Sequence, residues 1–534
     1  MAYPFTKTLE HLGLVAGFCQ DIKLAEIIDR ALGDSGQRQV SFGKLFEAMI
    51  LNGLGFTGRT LHMFSEYFED KPLERLLGPG IQAEHINDDA LGRCLDALYE
   101  HGVSPLYQTI GEAVVRHLDL PCEAVHLDST SFHTDSQEKL SEGDFNPVQI
   151  TKGYSRDHRP ELNQVILNLI CENQAGIPVY MKPASGNSND LKGFKEIVKS
   201  HVQSLKAAQK SRWLVADSAL YVGETLQYLD KSEQLFITRV PQRLKEATDL
   251  VANAHNLVFT PINEDYQGVW YQSDYADVRQ RWLLLRSEPA HQRERKNLNG
   301  RMLKAANEER KSFKKLCQQG FACRKDAESA LKRWQTQQTW LDVDASISEM
   351  PIYTGRGRPA AGRAPDKIEF RLSGQLFTPL KRRQQALDQL GLFIIATNDH
   401  SPSMSMDKLL STYKSQQAVE KGFRFLKSPD FLTSSIFLKK PERIEALLMV
   451  MTTCLMVYAA MEHLIRKRLK EKDLYFPDQK KKPYQNPTAR WVFQCFQGIT
   501  IIYLGEQEPM VVNWKPRHQS IIDCLGDPWR QIYS

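Results

Sequence analysis

The chain has 534 residues, which is too long for one ordinary domain, and 42% of them are hydrophobic, which is enough for a packed core. Nine cysteines are scattered without a CxxC pair, so the sequence argues against a structural zinc site and fits a reducing cytoplasm. The net charge is only +5, but 13 Lys and Arg residues against 5 acidic residues lie between 291 and 333, which indicates either a polyanion-facing patch or a solvated helix face.

Residues 1–120 are predicted to form a helical N-terminal domain. The stretches "VSFGKLFEAMILNGLGF" and "DDALGRCLDALYEHG" carry apolar residues at helical spacing and contain glycines that favour helix termination. The first residues lack a basic segment followed by an apolar run, so no signal peptide is predicted and a cytoplasmic location is expected.

Residues 121–240 change to a pattern of short apolar strands. The predicted strands are "EAVHLDSTSFH", "LNQVILNLICEN", "IPVYMKPAS", "RWLVADSAL" and "QLFITRV". Helices are predicted for "LKGFKEIVKSHVQSL" before the fourth strand and for "GETLQYLDK" after it. This order of elements indicates a mixed α/β domain.

The remaining chain divides into three segments. Residues 241–389 break the rhythm and are interpreted as a large mixed insertion of strands and a long charged helical stretch. Residues 390–470 return to the core with the strand "GLFIIATN" and the apolar stretch "ALLMVMTTCLMVYAAM". This apolar stretch is shorter than the roughly 20 residues that a membrane span needs, so a buried core helix and no membrane contact are predicted. Residues 471–534 are interpreted as a basic and aromatic C-terminal tail.

The stretch "YKSQQAVEKGFRFLK" at 413–427 is predicted to be a helix with an unusual arrangement of polar residues. At about 100° per residue, one narrow stripe of its surface holds a phenol, an amide, a carboxylate and two cations. A solvated amphipathic face is the plain alternative for this pattern. The members of this stripe, called the 413–427 stripe below, are Tyr413, Gln416, Glu420, Arg424 and Lys427.

Three acids stand where apolar strands end or have just ended. Asp128 ends "AVHLD", Asp217 ends "WLVAD", and Glu420 lies on the helix after "GLFIIATN". Each aspartate alone is commonly a helix cap or a turn former. Together at one sheet edge, three carboxylates would hold two divalent cations, Mg²⁺ or Mn²⁺, about 3.5–4 Å apart and support an in-line phosphoryl displacement. The 413–427 stripe would then lie along a phosphodiester backbone and contact its phosphates.

The stripe resembles the Y-x2-R-x3-E-x6-K signature of DDE-type insertion-sequence transposases of the IS-four-like superfamily. Tyr413, Glu420 and Lys427 match at that spacing, whereas Gln416 stands where the signature has arginine. Arg424, one turn beyond Glu420, is a candidate replacement for that arginine. "HLDSTSFH" and "LVADSALYVGETL" resemble the two aspartate segments of the family, and the layout of the whole chain is similar to the IS-sixteen-thirty-four branch.

The resemblance implies an α/β fold with a ribonuclease H-like catalytic core, that is, a mixed five-stranded sheet with helices, split between residues 121–240 and 390–470. It implies cleavage of DNA at the ends of a mobile element and joining of the 3′-hydroxyl ends to target DNA, with the three acids as ligands of two Mg²⁺ or Mn²⁺ ions. The expected partners are double-stranded DNA, including terminal inverted repeats bound by the N-terminal domain, and a second copy of the chain in a homodimer. A nucleoid-associated location in the cytoplasm is expected.

Further DNA contacts and two other functions are also compatible with the sequence. Arg156, His158 and Arg159 in "GYSRDHRPEL" are candidate DNA contacts, or parts of a structured loop. One alternative function is a metal-dependent DNA nuclease with the same core but no strand transfer. The other is a catalytically decayed relative that only binds DNA, which Gln416 favours and the three intact acids oppose.

Overall fold

The computed structural model describes residues 4–33, 36, 38–56, 63–134, 148–153, 159, 161–188, 212–354, 363–416, 422, 438, 440–505 and 507–534. Within these ranges the chain combines many helices with one large sheet, so the fold is mixed α/β, as the sequence predicts.

Helices dominate the described part of residues 1–120, where a helical region is predicted. The side chain of Ser41 accepts a hydrogen bond from the Lys44 amide at the start of the third helix, and Asn87 accepts one from Ala90 at the start of the sixth. The helices are α1 (Leu12–Asp21), α2 (Leu24–Leu32), α3 (Phe42–Leu54), α4 (Phe64–Glu69), α5 (Leu73–Leu76), α6 (Asp88–His101) and α7 (Val103–Leu118).

A long apolar helix over Pro441–Glu471 packs against α3, α6 and α7. Among the residues that the structure describes, it is the one helix long and apolar enough to cross a membrane, yet 83% of its most apolar window is buried inside the protein. Burial all round accounts for its composition. The prediction of a buried core helix at 446–461 is therefore confirmed.

The central sheet has nine strands in the described residues, and six of them were predicted: five within residues 121–240 and one from "GLFIIATN". The strands are β2 (Ala124–Thr134), β3 (Asn163–Glu172), β4 (Pro178–Ser185), β5 (Trp213–Ala216), β6 (Leu235–Arg239), β7 (Thr260–Pro261), β8 (Tyr266–Ser273), β9 (Gln280–Ser287) and β12 (Leu392–Thr397). Their order across the sheet is β4–β3–β2–β5–β6–β12–β9–β8–β7. The pairs β2–β5 and β5–β6 are parallel, and the other neighbouring pairs are antiparallel.

The additional strands come from the segment that was interpreted as an insertion. β9 pairs with β12 along six residues, and β8 pairs with β9. The sequence of β9 contains the run Trp282–Leu285, which is fully buried. A strand that is apolar on both faces lies inside a sheet rather than at its edge, so residues 260–287 extend the core sheet.

The helix α13 (Met406–Lys414) lies against one face of the central sheet. The helices that precede it in the chain are α8 (Gly223–Lys231), α9 (Lys245–Ala252), α10 (Glu288–Cys317), α11 (Arg324–Gln337) and α12 (Leu380–Asp388). Lys408 lies 4.8 Å from the ring of Trp213 on β5, and Lys414 lies 4.4 Å from the ring of Tyr266 on β8. The helix therefore lies across five neighbouring strands, from β5 to β8. The apolar cluster below it consists of Ala124, Trp213, Val215, Ile237, Leu283, Leu285, Ile395, Met404, Leu409 and Leu410.

The rest of the predicted insertion has a small core of its own. Phe313 of α10, Trp334 of α11 and Val343 of the antiparallel hairpin β10 (Asp342–Ile352)–β11 (Lys367–Phe377) pack together. Only Leu298 and Phe313 of α10 are buried, so the cations of this 30-residue helix lie mostly at the surface.

The C-terminal segment, which was interpreted as a tail, is folded. It contains β13 (Phe476–Pro477), β14 (Pro483–Tyr484), β15 (Thr500–Tyr503), β16 (Met510–Val512) and, with Pro441–Glu471 counted as α14, the helices α15 (Ala489–Phe496), α16 (Pro516–Leu525) and α17 (Trp529–Ile532). β15 pairs with β1 (Phe5–Thr8). Trp529 is fully buried and donates a hydrogen bond to the Leu14 carbonyl at 2.9 Å, and a Cβ on Gly17 would lie 2.5 Å from its ring. The aromatic residues that suggested a tail therefore join this segment to α1.

Candidate active site

Asp128 and Asp217 lie side by side on neighbouring strands. β2 and β5 are parallel, and Leu127 pairs with Ala216 in their register. The next residue of each chain is an aspartate, so both carboxylates leave the same face of the sheet at the same level. Neighbouring strands are about 4.8 Å apart, which is close enough for two carboxylates to bind one cation.

The two aspartates differ in their local setting. β5 ends before Asp217, as predicted, whereas β2 continues past Asp128 to Thr134 because it stays paired with β3. Asp217 Oδ1 accepts a hydrogen bond from the Ala219 amide at 2.9 Å and caps the single 3₁₀ turn Ser218–Leu220. The helix cap thus uses one oxygen of Asp217, and the second carboxylate oxygen can bind a cation.

His126 shares the face of Asp128, since it lies two residues earlier on β2. It is fully buried, and its Nε2 lies 2.8 Å from the hydroxyl oxygen of Ser415, which follows α13. The Ser415 hydroxyl donates its own hydrogen to the Thr412 carbonyl at 2.7 Å, so it accepts one from His126 Nε2. Burial lowers the pKa of His126 to about 4, so the ring is neutral at pH 7 and adds no positive charge beside Asp128. The contact ties the end of α13 to the strand that carries Asp128.

The predicted helix 413–427 differs from the structure at its beginning. α13 starts at Met406, after the capping hydroxyl of Ser405, and ends at Lys414. Ser415 and Gln416 form a turn, in which the Gln416 amide donates to the Tyr413 carbonyl at 3.3 Å. A periodic pattern in the sequence does not reveal the residue at which a helix ends.

Tyr413 therefore lies in the last turn of one helix and Gln416 beyond it, so these two do not begin one continuous stripe. Tyr413 is half-buried and packs against the apolar cluster below α13, while Gln416 is half-buried in the turn beside Ser415. Tyr413 lies on the side of the sheet that carries the two aspartates.

Glu420, Arg424 and Lys427 lie outside the described residues. Two described residues flank Glu420. Gln416 follows Ser415, which contacts His126 on β2, and Gly422 is helical. A Cβ on Gly422 would lie 3.1 Å from a methyl group of Leu455 on α14. Gln416 therefore follows a residue that contacts β2, and Gly422 lies against α14.

The loop residues proposed as DNA contacts are described only in part. Arg156 and His158 lie outside the described residues. Arg159 is exposed and forms an ion pair with Glu161, whose pKa is lowered by the Arg159 hydrogen bond. Exposure leaves Arg159 accessible to a partner.

Arg239, the last residue of β6, was missed by the sequence reasoning. Ala216 pairs with Thr238 in the parallel register of β5 and β6, so Arg239 stands at the level of Asp217. The signal was present in "QLFITRV", where a charged residue follows an apolar strand just as the aspartates follow theirs.

The donor set of the site suits a hard cation, although it is incomplete in the described residues. Within those residues no group of three His, Cys, Asp or Glu side chains is placed to hold a metal ion. Two adjacent carboxylates supply oxygen ligands of the kind that Mg²⁺ and Mn²⁺ prefer. The two aspartates are therefore a donor pair of the kind that binds a divalent ion.

Comparison with known proteins gives one match over the core and one over the N-terminal helices. Residues 123–457, more than half of the chain, match the model of the transposase DDE domain. Residues 5–112 match a domain of unknown function, DUF4277. No curated protein matches the sequence. A cryo-EM structure of a piggyBac transposase synaptic complex with hairpin DNA is similar at 8% identity and a TM-score of 0.38, over 98% of this chain and 84% of that one.

Proposed function

Because this chain belongs to the transposase DDE domain family, we propose that it cuts DNA at the ends of a mobile element and joins the 3′-hydroxyl ends to target DNA. The observation that carries the proposal is the adjacency of Asp128 and Asp217 on parallel strands, below the end of α13. Two carboxylates at one level of a sheet are the beginning of a cation site for phosphoryl transfer.

We also infer that β2–β6 form a ribonuclease H-like core. The order β4–β3–β2–β5–β6, with β3 antiparallel to both neighbours and β2, β5 and β6 parallel, supports this inference. On this plan, residues 121–240 and 390–470 are the two parts of the catalytic core. Residues 241–389 are the insertion, 1–120 bind the element ends, and 471–534 complete the fold around α1.

Asp128, Asp217 and Glu420 are the proposed ligands of two Mg²⁺ or Mn²⁺ ions. When bound, such ions lower the pKa of the attacking water or 3′-hydroxyl and stabilise charge on the leaving oxygen. The protein sets the geometry of the ligands: β2 and β5 fix the aspartates side by side, and the hydrogen bond from His126 to Ser415 fixes the chain that leads to Glu420.

The remaining polar residues are proposed to hold DNA in register. Arg424 and Lys427 contact phosphates, and Tyr413 and Gln416 donate hydrogen bonds to phosphate oxygens from the side of the aspartates. Arg159, together with Arg156 and His158, contacts the DNA backbone from the loop before β3. Contacts of this kind position the DNA and do not recognise its sequence.

The finer classification is also a proposal. Tyr413, Glu420 and Lys427 at signature spacing support an insertion-sequence transposase of the IS-four-like superfamily, in its IS-sixteen-thirty-four branch. A homodimer would bring two element ends together, with double-stranded DNA as the partner and the nucleoid as the location. Gln416 distinguishes this chain from the signature and leaves one phosphate contact to another cation.

Incubation of the protein with Mg²⁺ and labelled duplexes that carry the element's terminal repeats tests the function. We expect cleavage at the repeat boundary followed by joining to a supercoiled target plasmid, and neither product from Glu420→Gln. Cleavage without joined product would identify a nuclease with this core. Specific binding without cleavage by either protein would identify a decayed DNA-binding relative.

A further inference from the structure

Arg239 extends the row of charged residues at the candidate site. The parallel register pairs Ala216 with Thr238, so the residues that follow, Asp217 and Arg239, occupy one level of the sheet. Asp128 occupies the same level on β2. Two carboxylates and one guanidinium therefore cross three neighbouring strands on one face.

Arg239 is exposed although β6 lies between two other strands of the sheet. Thr238 and Val240 on either side of it are buried. Asp217 turns Oδ1 to the Ala219 amide, and no carboxylate of the described residues forms an ion pair with Arg239. The cation is therefore open to a ligand that approaches the two aspartates.

Two contacts hold the backbone beside Arg239 and orient its side chain. The hydroxyl of Thr238 donates to the Asp217 carbonyl at 2.7 Å, which holds the ends of β5 and β6 together. The guanidinium carbon lies 5.4 Å from the centroid of the Phe393 ring, within the range of a cation–π contact. The guanidinium is thus supported on one side by an aromatic face and leaves its N–H groups for an anion.

We propose that Arg239 binds a phosphate of the DNA strand next to the phosphodiester that is cleaved. A guanidinium offers two parallel N–H donors that match two phosphate oxygens, and it stays charged at every working pH. A phosphodiester approaching two carboxylates meets negative charge, which this fixed cation offsets in the same row. The proposal rests on the proposed function, since that function supplies the DNA.

The first test measures binding of terminal-repeat duplex at several salt concentrations, with Ca²⁺ in place of Mg²⁺. Arg239→Ala is expected to lower the slope of log K against log [salt] by about 0.9, the value for one lost phosphate contact. Arg239→Lys is expected to keep the slope of the parent. Arg243→Ala is the matched control, because Arg243 is an exposed cation beyond the end of β6, and its slope should stay within the error of the parent.

The second test locates the phosphate. Duplexes that each carry one uncharged methylphosphonate near the cleavage site are cut by the parent and by Arg239→Ala in Mg²⁺. One substitution is expected to slow the parent about 10- to 100-fold and to leave the already slow variant unchanged, because both changes remove one contact.

Equal salt slopes for the parent and Arg239→Ala, with equal sensitivity to every neutral phosphate, would overturn the proposal. A parent that binds the repeats without cutting them contradicts the proposed function alone. The salt slopes still decide the role of Arg239 in that case.

Discussion

Acidification is predicted to destabilise the sheet around His126, and His126→Leu is predicted to remove that sensitivity. Burial lowers the pKa of His126 from 6.5 to about 4. The unfolded chain therefore binds more protons than the folded chain between these values. The free energy of unfolding rises with pH through this window, and it is level above the unfolded pKa.

The hydrogen bonds around the ring explain why protonation is costly. Nε2 donates to Ser415, so a second proton must enter at Nδ1, which is buried and has no hydrogen-bond partner in the described structure. One pKa unit corresponds to about 1.4 kcal/mol, so the shift of His126 removes about 2.5 kcal/mol of unfolding free energy between pH 7 and pH 4.5.

Urea unfolding of the parent and of His126→Leu, followed by tryptophan fluorescence at pH 7, 6, 5 and 4.5, measures this effect. The difference between the two proteins cancels the titration of other groups, and Trp213 on the neighbouring strand reports on the same cluster. The parent should lose about 2.5 kcal/mol relative to the variant over this range. Parallel losses in both proteins would refute the reasoning.

Three further predictions each concern a single side chain. Ser415→Ala deprives the buried Nε2–H of its acceptor and should lower the free energy of unfolding by about 1–3 kcal/mol in urea at pH 7; an unchanged midpoint would show that this hydrogen bond does not stabilise the fold. Trp529→Ala should cost about 3–5 kcal/mol and let a protease release the C-terminal segment, whereas cleavage at the parent rate would contradict the docking on α1. Burial raises the pKa of Glu445 to about 7, so its contribution to stability is complete below pH 4.5 and is lost as the pH rises through 7. The free energy of unfolding of Glu445→Gln, measured in the same urea assay, should therefore rise by up to about 3 kcal/mol relative to that of the parent between pH 4.5 and pH 8. A difference between the two proteins that does not change with pH would contradict this prediction.

The relation of the two aspartates could be inferred from the sequence because it depends on local pattern. An apolar strand followed by an aspartate occurs twice, and the carboxyl ends of parallel strands lie at one edge. The buried helix at 446–461 could also be predicted from the sequence, since its length and apolar composition leave few other interpretations.

The differences arose where pairing between distant segments decides the structure. The sequence "QRWLLLRSE" does not show that it pairs with β12, more than a hundred residues later in the chain. That pairing adds β7, β8 and β9 to the six predicted strands of the sheet. Arg239 was missed for the same reason. The register of β5 and β6 places Arg239 beside Asp217, and spacing along the sequence does not show that register. The turn at Ser415 and Gln416 interrupts a periodic pattern that continues through it.

The packing of the C-terminal segment could not be predicted from its composition. Residues 471–534 were interpreted as a basic and aromatic tail, and in the structure Trp529 is buried against α1. Burial between the two ends of a chain is a long-range contact, which composition does not reveal.

The central claim is that Asp128 and Asp217 act as one cation-binding pair in DNA cleavage. Its most direct test is the Mg²⁺-dependent cleavage rate of terminal-repeat duplex by Asp128→Asn, Asp217→Asn and the double variant. Asp249→Asn serves as the control, since Asp249 is an exposed aspartate on α9. We predict that each single variant loses cleavage about 1,000-fold or more, that the double variant is no slower, and that the control matches the parent. Cleavage at the parent rate by either single variant would contradict the account.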